Sequence, residues 1–525
     1  MLSCALDTAG REMMVETLTG TNRSKGITYD ELLDMDSHRV PERLREDSPM
    51  PPGPTIVDPS IYYSRDFFDL EVERLWKKVW QMACHEDDIP NVGDSHVYDI
   101  AHLSFIIVRT APDEIKAFPN ACLHRGRALL TEDAKGLREF RCPFHGWGWK
   151  IDGTLKEVPC HWDFPSVSER THSLPPVKVG RWGGFVFINP DDNAEAFADF
   201  LGDIDRHFEP IPFERRYKAV HVAKKLRCNW KVAQEAFMEA YHVVATHPTL
   251  LDVMGDANSK YDLFGNLSRA ISPNGMLSPH VNPALVAEPL EGAKTFARVR
   301  HALSGNIYER LAEDRVKVTA RDGRTGIFDH QARHIEGALD HADIQLCDWV
   351  GGMLPAGWET LPDHTSSGPI PERRNAMAHE AREKWRASLG DEVDAISDAE
   401  FVDTIYYNLF PNISPWGCFN PIFYRFRPYG DNPEECIHEI MFMLPVAQGK
   451  PRPAPAKVHW LEFDDDYCDA PELGMLAKVF NQDVVNLPHV QKGMRSIKSK
   501  EIVFANYGET KIRHFHKLLT EHLGR

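Results

Sequence analysis

Four residues constrain this chain more than any others. Cys122 and His124 form a C-x-H pair, and seventeen residues later Cys142 and His145 form a C-x-x-H pair, within ACLHRGRALLTEDAKGLREFRCPFHGWGW. Two thiolates on one iron and two imidazoles on the other are the ligand set of a mixed-ligand [2Fe–2S] cluster, whose neutral histidines raise its potential above that of an all-cysteine cluster. Arg125-Gly126 and His145-Gly146-Trp147 put small and planar residues into two tight loops. The pattern predicts two β-hairpin tips, each presenting one Cys and one His, with backbone amides free to donate to sulfur. A Cys2His2 zinc site uses the same ligand types. It usually spaces them as C-x2–4-C then H-x3–5-H, whereas Cys and His alternate here.

A second cluster lies a hundred residues on, in NWKVAQEAFMEAYHVVATHP, from Asn229 to Pro248. Apolar residues at Val232, Ala236 and Ala240, and at Ala233, Phe237, Tyr241 and Val244, predict a buried helix of about four turns. Glu239 and His242 then share a face, and Pro248 implies that the helix ends by His247. A spacing of five between the histidines is not the four of an HExxH zinc helix. It suits one ligand in the last turn and one in the loop beyond. Two neutral imidazoles and a carboxylate would occupy one face of an octahedral Fe(II), leaving positions for dioxygen and water. A histidine pair alone is weak evidence in a chain with 25 histidines.

With both motifs in this order, the chain resembles the α subunit, or oxygenase component, of Rieske non-haem iron aromatic-ring-hydroxylating oxygenases, over most of its length after about residue 50. The resemblance implies an α+β fold: an N-terminal Rieske β domain that carries the [2Fe–2S] cluster in hairpin loops, then a helix-grip, START-like catalytic domain built on an antiparallel sheet. It implies that Cys122, His124, Cys142 and His145 hold the cluster. It implies that His242 and His247 bind a mononuclear Fe(II) with an aspartate far toward the C-terminus. Asp483, in FNQDVVNLPHVQKGM and followed by a Q-x-G element, matches that position; Asp464, Asp465 and Asp466 are nearby rivals that read as a solvated turn. Glu239 stands where the family places an acidic bridge carrying electrons from the cluster of one subunit to the iron of its neighbour in a head-to-tail trimer. Many members have Asp there, and Glu marks some branches, including oxygenases of quaternary amines.

Length and charge set the remaining limits. A chain of 525 residues predicts at least two domains. We divide it into an N-terminal arm (1–55), a Rieske domain with a leading helix (56–192) and a catalytic domain (193–525). A net charge of −18 argues against nucleic acid and anionic membrane surfaces as partners. The ten cysteines show no disulfide framework, and no run approaches the roughly 18 apolar residues of a membrane span, so a cytoplasmic protein is expected.

Along the chain, DFFDLEVERLWKKVW predicts an amphipathic helix feeding a strand at QMACHE, and HVYDI, LSFIIVRT and EIKAFPNAC predict three further strands. KAVHVAKKLRCNWKV predicts the strand that delivers the iron helix. His221, His514 and His516 read as packing or surface residues. The stretch from Leu250 to Pro362 reads as irregular, PERRNAMAHEAREKWRASLG as a solvated charged helix, and the helix carrying Asp483 should end or kink at Pro488.

No glycine fingerprint for a nucleotide is present, so electrons must come from a separate NAD(P)H-dependent reductase, possibly through a ferredoxin. The expected activity is that of a terminal oxygenase using O2 to mono- or dioxygenate a small hydrophobic substrate. Phe237, Met238 and Val243 beside the iron motif favour an aromatic or alicyclic compound. Oxidative demethylation or quaternary-amine monooxygenation is the alternative within the family, and a Rieske electron-transfer protein without oxygenase activity, or a zinc-stapled interaction protein, lies outside it. A homotrimer is expected, with or without a β subunit.

Overall fold

The computed structural model describes residues 26–48, 50–287, 290, 296–357 and 368–525. Residues 81–189 build an all-β unit of three three-stranded sheets. Ser95–Ile100, Leu103–Ala111 and Glu114–Pro119 form one meander, and Glu139–Arg141, Gly148–Lys150 and Leu155–Glu157 a second. Gln81–His85 pairs with the hairpin Lys178–Trp182 and Phe185–Asn189. Successive residues of a strand point to opposite faces. Accordingly Ile106 and Val108 pack with Phe118, Phe140, Trp147 and Trp149 around Cys122 and Cys142. Phe105 and Ile107 turn the other way, into the main core.

Only the second cysteine loop is a hairpin tip, closed by the pair Arg141 and Gly148. The first, expected to be one as well, leaves Glu114–Pro119 in one sheet and ends at Glu139–Arg141 in another. Asn120 holds its far end, accepting the amides of Leu129 and Leu130 at 2.9 and 3.0 Å.

The larger unit is organised on an eight-stranded sheet in the order Lys260–Phe264, Leu267–Ser272, Thr404–Leu409, Ile413–Pro415, Ile422–Pro428, Cys436–Pro445, Arg216–Leu226, His459–Leu461. Its neighbours run antiparallel except at the edge, where His459–Leu461 lies parallel to Arg216–Leu226. Alternation divides the sheet into two faces. Tyr424, Phe426 and His438 point to the helical side, against Phe237 and Phe480. Phe423 and Arg425 point to the β unit, with Phe423 stacked 4.2 Å from Phe185 and Arg425 donating to the carbonyls of Met82 and Ala83.

Three regions depart from the sequence reading. The expected arm is described from residue 26 onward, and there it packs into the main core through Tyr29, Leu32, Leu33 and Leu44. Thr28 and Glu31 cap its short helix reciprocally, and the Tyr29 hydroxyl donates to Asp403 at 2.9 Å. Residues 1–25 and 358–362, also covered by the expectations above, lie outside the described residues. The stretch expected to be irregular contains a five-stranded antiparallel sheet: Arg298–Arg300, Ile307–Ala312, Arg315–Thr319, Thr325–Phe328 and His334–Gly337. Its strands read as polar because one face is wet, while Tyr308, Val316, Val318 and Phe328 form a separate small core with Leu346 and Trp349 of the helix Ile344–Gly351. The charged helix Ile370–Leu389 is not solvated on all sides. Arg374 grips Asp403 with bonds of 2.6 and 2.9 Å, and Arg382 reaches Asp398 at 2.8 Å, both pairs buried.

Candidate metal centres

The residues from Asn229 to Pro248 do not form one helix. Helix Trp230–Glu235 starts under Asn229, whose side chain accepts the amide of Lys231. Gln491, of the Q-x-G element, accepts the Asn229 amide at 2.9 Å and so fixes the start of this helix to the end of the chain. After Glu235 the helix opens, and a single short turn, Val243–Thr246, follows. The amides that would have continued it are taken by side chains: Ala240 N–H donates to the Tyr261 hydroxyl at 3.1 Å, and His242 N–H to Glu239 Oε2 at 2.9 Å. Side-chain acceptors compete with helix hydrogen bonds in this way, and the apolar spacing could not show it. Tyr241, expected on the buried stripe, is consequently 67% exposed.

The break turns His242 and His247 toward one another, with ring centroids 5.2 Å apart. Asp483 arrives from the helix Leu476–Val484, 236 residues along the chain from His247. Its Oδ1 lies 2.8 Å from His247 Nε2 and 3.5 Å from His242 Nε2. One donor atom from each residue falls within a 4.8 Å span, and His247 and Asp483 are buried. Each ring's other nitrogen is engaged. Glu239 Oε1 holds His242 Nδ1 at 2.7 Å, and Gln482 Oε1 holds His247 Nδ1 at 3.0 Å. Gln482 Oε1 accepts a proton carried on His247 Nδ1, the tautomer that would free Nε2 to bind a metal beside Asp483. Gln482 is in turn tied to Gln345 by reciprocal side-chain to backbone contacts of 3.4 and 3.5 Å.

Electrostatics make the trio a cation site. Burial alone would depress the His242 imidazole, but Glu239, with Asp483 and Asp256 behind it, carries it up to about 9. Two imidazoles and a carboxylate, oriented by outer partners, fit a divalent iron with positions to spare. The rival acids lie elsewhere: Asp464 pairs with Arg227, Asp465 accepts the amide of Glu462, and Asp466 caps a short turn at Cys468. His221 faces Glu439 at 3.6 Å on the opposite side of the sheet. His514 and His516 are buried packing residues, bonded to the Gly265 carbonyl and to Glu235. A second grouping, Asp36, His38 and Asp398, is neutralised by Arg382 and capped by Ser37, which reads as structural. Gln482, Gln345 and Tyr261 are the site residues that sequence reasoning missed. Gln482, adjacent to Asp483, is the one of these that a reading of neighbouring residues had within reach.

The cysteine loops repeat one geometry. In each, the Cys amide donates to a carbonyl five residues on, and the amide of a glycine four residues on returns to the Cys carbonyl, all at 2.8 to 2.9 Å. Those glycines, Gly126 and Gly146, have φ of +77° and +78°, which a side chain would strain. Burial pushes the Cys122 thiol up. Cys142 is held below its ordinary value because the amides of Phe144 and His145 outweigh its own burial. His124 stacks on Trp147 at 5.2 Å and 3°, its buried Nδ1 unpartnered, with the His145 ring 4.6 Å away. Arg125 Nη2 lies 2.7 Å from His145 Nε2. Paired thiols that accept backbone amides, and an orphaned imidazole nitrogen, fit a [2Fe–2S] cluster. Among the described residues no three donors of this quartet gather within 4.8 Å, the spacing that a single tetrahedral zinc would require.

Two family models match this chain. The Rieske [2Fe-2S] domain matches residues 79–168. The ring hydroxylating alpha subunit (catalytic domain) matches residues 212–311 and 341–525. The chain belongs to the Rieske ring-hydroxylating α subunits. The interval 312–340 between the two matched segments of the catalytic domain carries three strands of the five-stranded sheet. Among curated relatives, the carnitine monooxygenase oxygenase subunit of Acinetobacter baumannii is 31% identical over 222 residues, 40% of this chain and 58% of the relative. The anthranilate 1,2-dioxygenase large subunit of Acinetobacter baylyi is 35% identical over 195 residues, 36% of this chain and 41% of the relative. The chain thus spans about half the length of the curated relatives it matches. Solved structures share the fold over nearly the whole chain. Naphthalene 1,2-dioxygenase with indole bound has a TM-score of 0.54 at 18% identity, covering 90% of this α subunit and 92% of that chain. A quaternary ammonium Rieske monooxygenase has a TM-score of 0.52 at 15% identity, covering 92% and 99%. The family joins a Rieske [2Fe–2S] domain to a catalytic domain that uses a mononuclear iron.

Proposed function

We propose that this α subunit is the terminal oxygenase of a multicomponent system, taking electrons from a separate reductase, directly or through a ferredoxin. In this reading Cys122, His124, Cys142 and His145 hold the cluster, His242, His247 and Asp483 hold the iron, and Glu239 is the bridge between subunits. The domain limits are 1–55, 56–192 and 193–525. One observation carries the reading: Asp483 meets His242 and His247 at a buried point although 236 residues of chain separate it from the nearer one, and both outer imidazole nitrogens are already engaged. When bound, the cluster supplies stored electrons and the iron supplies the activation of dioxygen.

The chain's own residues prepare that chemistry. Glu239 and Gln482 orient the two imidazoles, so their Nε2 atoms face inward without reorganisation. Ala240, Val243, Leu251, Val281 and Ala302 cluster beside the metal motif, an aliphatic wall that excludes water and favours an apolar aromatic or alicyclic substrate. Large apolar residues are exposed at both centres: Phe144 and Trp162, 60% and 84% exposed, on the β unit and Tyr241 beside Glu239. That supports docking of one subunit's cluster on its neighbour's iron site in a homotrimer. Among the described residues no helix is long and apolar enough to cross a membrane, and all the cysteines there are free, which suits the cytoplasm.

A second reading, quaternary-amine monooxygenation, is favoured by relatives named for carnitine and glycine betaine. Product mass spectrometry with NADH, a reductase and either arenes or carnitine and choline separates the two. Oxidation tightly coupled to the quaternary amine alone would defeat the apolar reading. Iron analysis tests the rest: an oxygenase holds three irons per chain, and two would mean an electron carrier.

A further inference from the structure

The unwound segment between Glu235 and Val243 presents both the bridging acid and the first iron ligand, and a side chain from the edge of the sheet holds it open. Tyr261, on Lys260–Phe264, is buried, and its hydroxyl accepts the Ala240 amide at 3.1 Å. Ala240 follows Glu239 directly and precedes His242 by two. Without this acceptor the amide would be an orphan buried donor, which favours closing the turn back into helix.

The ring is itself held. Tyr261 packs with Ala270 and Tyr406 in one small buried cluster. Ser272 Oγ lies 2.8 Å from Ser259 Oγ, whose own proton goes to the Asp256 carbonyl. The Tyr261 ring is fixed edge-on against Tyr507 at 5.3 Å and 89°, and the Tyr507 hydroxyl takes the Tyr261 amide at 3.3 Å. Below Tyr406, the fully buried Lys511 Nζ sits 4.1 Å from the ring centroid and donates to the Tyr406 carbonyl at 3.2 Å. Burial, with Tyr406 and Glu239 nearby, pushes the Tyr261 phenol well above its ordinary value, so it stays a neutral hydroxyl.

We infer that Tyr261 is a positioning residue for the iron site: its hydroxyl holds the Ala240 turn open so that one buried carboxylate, Glu239, grips His242 directly beneath the exposed Tyr241. The inference rests on the reading of His242 as an iron ligand and Glu239 as the bridge. It assigns to Tyr261 no contact with iron or substrate.

The test is Tyr261→Phe, which keeps the ring against Tyr507 and removes only the hydroxyl, made in the full chain with both metal sites loaded. Iron and sulfide content should match the wild type. Nitric oxide bound to the ferrous site should give an EPR signal of altered rhombicity. Reoxidation of the reduced cluster by O2, with naphthalene as the probe arene, should slow by about tenfold or more, since displacements of an ångström at a reacting centre cost factors of this order. Its naphthalene KM should stay within about twofold, because the substrate wall is untouched. Tyr406→Phe, which removes the hydroxyl packed beside Tyr261, should move the EPR signal and the rate in the same direction by less, and it carries the test if Tyr261→Phe does not fold. A wild-type nitric oxide signal together with a reoxidation rate within twofold of wild type would overturn the inference. Wild-type protein lacking the third iron or the nitric oxide signal would instead sink the site assignment on which it rests.

Discussion

Glutamine at position 239 would keep the shape of the side chain and remove its charge. Glu239 makes two contacts to one residue, 2.7 Å to His242 Nδ1 and 2.9 Å to the His242 amide. Hydrogen bonds to a charged group contribute about 1.5–3 kcal/mol each, against about 1 kcal/mol for neutral ones. A glutamine oxygen can retain one of the two as a neutral bond, while its NH2 group faces the second donor and repels it. The expected loss is therefore one charged bond and part of another, about 2–3 kcal/mol, or roughly 30- to 140-fold in iron affinity at 1.4 kcal/mol per tenfold. That overlaps the upper part of the range of about 10- to 100-fold seen when the partner of a metal-bound histidine is removed. The assay is chelator competition for the mononuclear iron at fixed pH, with the visible spectrum of the [2Fe–2S] cluster as internal control, because the two ligand sets share no residue. Glu239→Gln should lose iron while the cluster spectrum stays unchanged. An affinity within threefold of wild type would refute the claim that this carboxylate orients His242.

Three further outcomes follow from buried groups and from the separation of the two sites. Glu71 and Lys231 form a 2.7 Å ion pair with no exposure on either side, so Glu71→Gln should cost about 3–5 kcal/mol in urea unfolding, and pairing Glu71→Leu with Lys231→Met should recover most of it. Burial lowers both His207 and His438 to about 3, so between about pH 6.5, the unfolded value, and pH 3 the unfolded chain binds protons that the folded chain refuses. Stability should fall with acid across that window by about 1.4 kcal/mol per pH unit for each group, and His438→Phe should reduce the slope by one proton; an unchanged slope would argue against a neutral buried His438. Removing the mononuclear iron with a ferrous chelator should lower Tm, because ligand binding to the folded state is withdrawn, and leave the cluster absorbance intact. Coupled loss of both would contradict two independent sites.

The legible part of the site was that encoded in short-range spacing. Cys122 to His124 and Cys142 to His145 lie within single loops, so ligand type, order and glycine positions could be read directly, and the two loops share one backbone geometry. The helix break between Glu235 and Val243 left no trace in the apolar pattern, because it depends on Tyr261 and on Glu239 turning back to its own loop. The five-stranded sheet escaped notice because the strand His334–Gly337 is exposed throughout, and strands such as RVKVT bury only alternate positions. Arg374 and Arg382 looked like surface charges until Asp403 and Asp398 were placed beneath them.

The sequence by itself determined the chemistry available: which side chains, by type and short-range spacing, could hold two kinds of iron, and in what order. That information is local because a ligand pair two to five residues apart needs only one loop. Only the tertiary structure decided that Asp483, rather than the acids at 464–466, stands at His247. The same holds for Gln482 and Gln345 closing the outer side of that imidazole, and for a tyrosine on a sheet edge keeping the turn open. Those contacts join residues from 21 to more than 200 positions apart. Their partners are chosen by the packing of helices on one face of the sheet, which no spacing along the chain records.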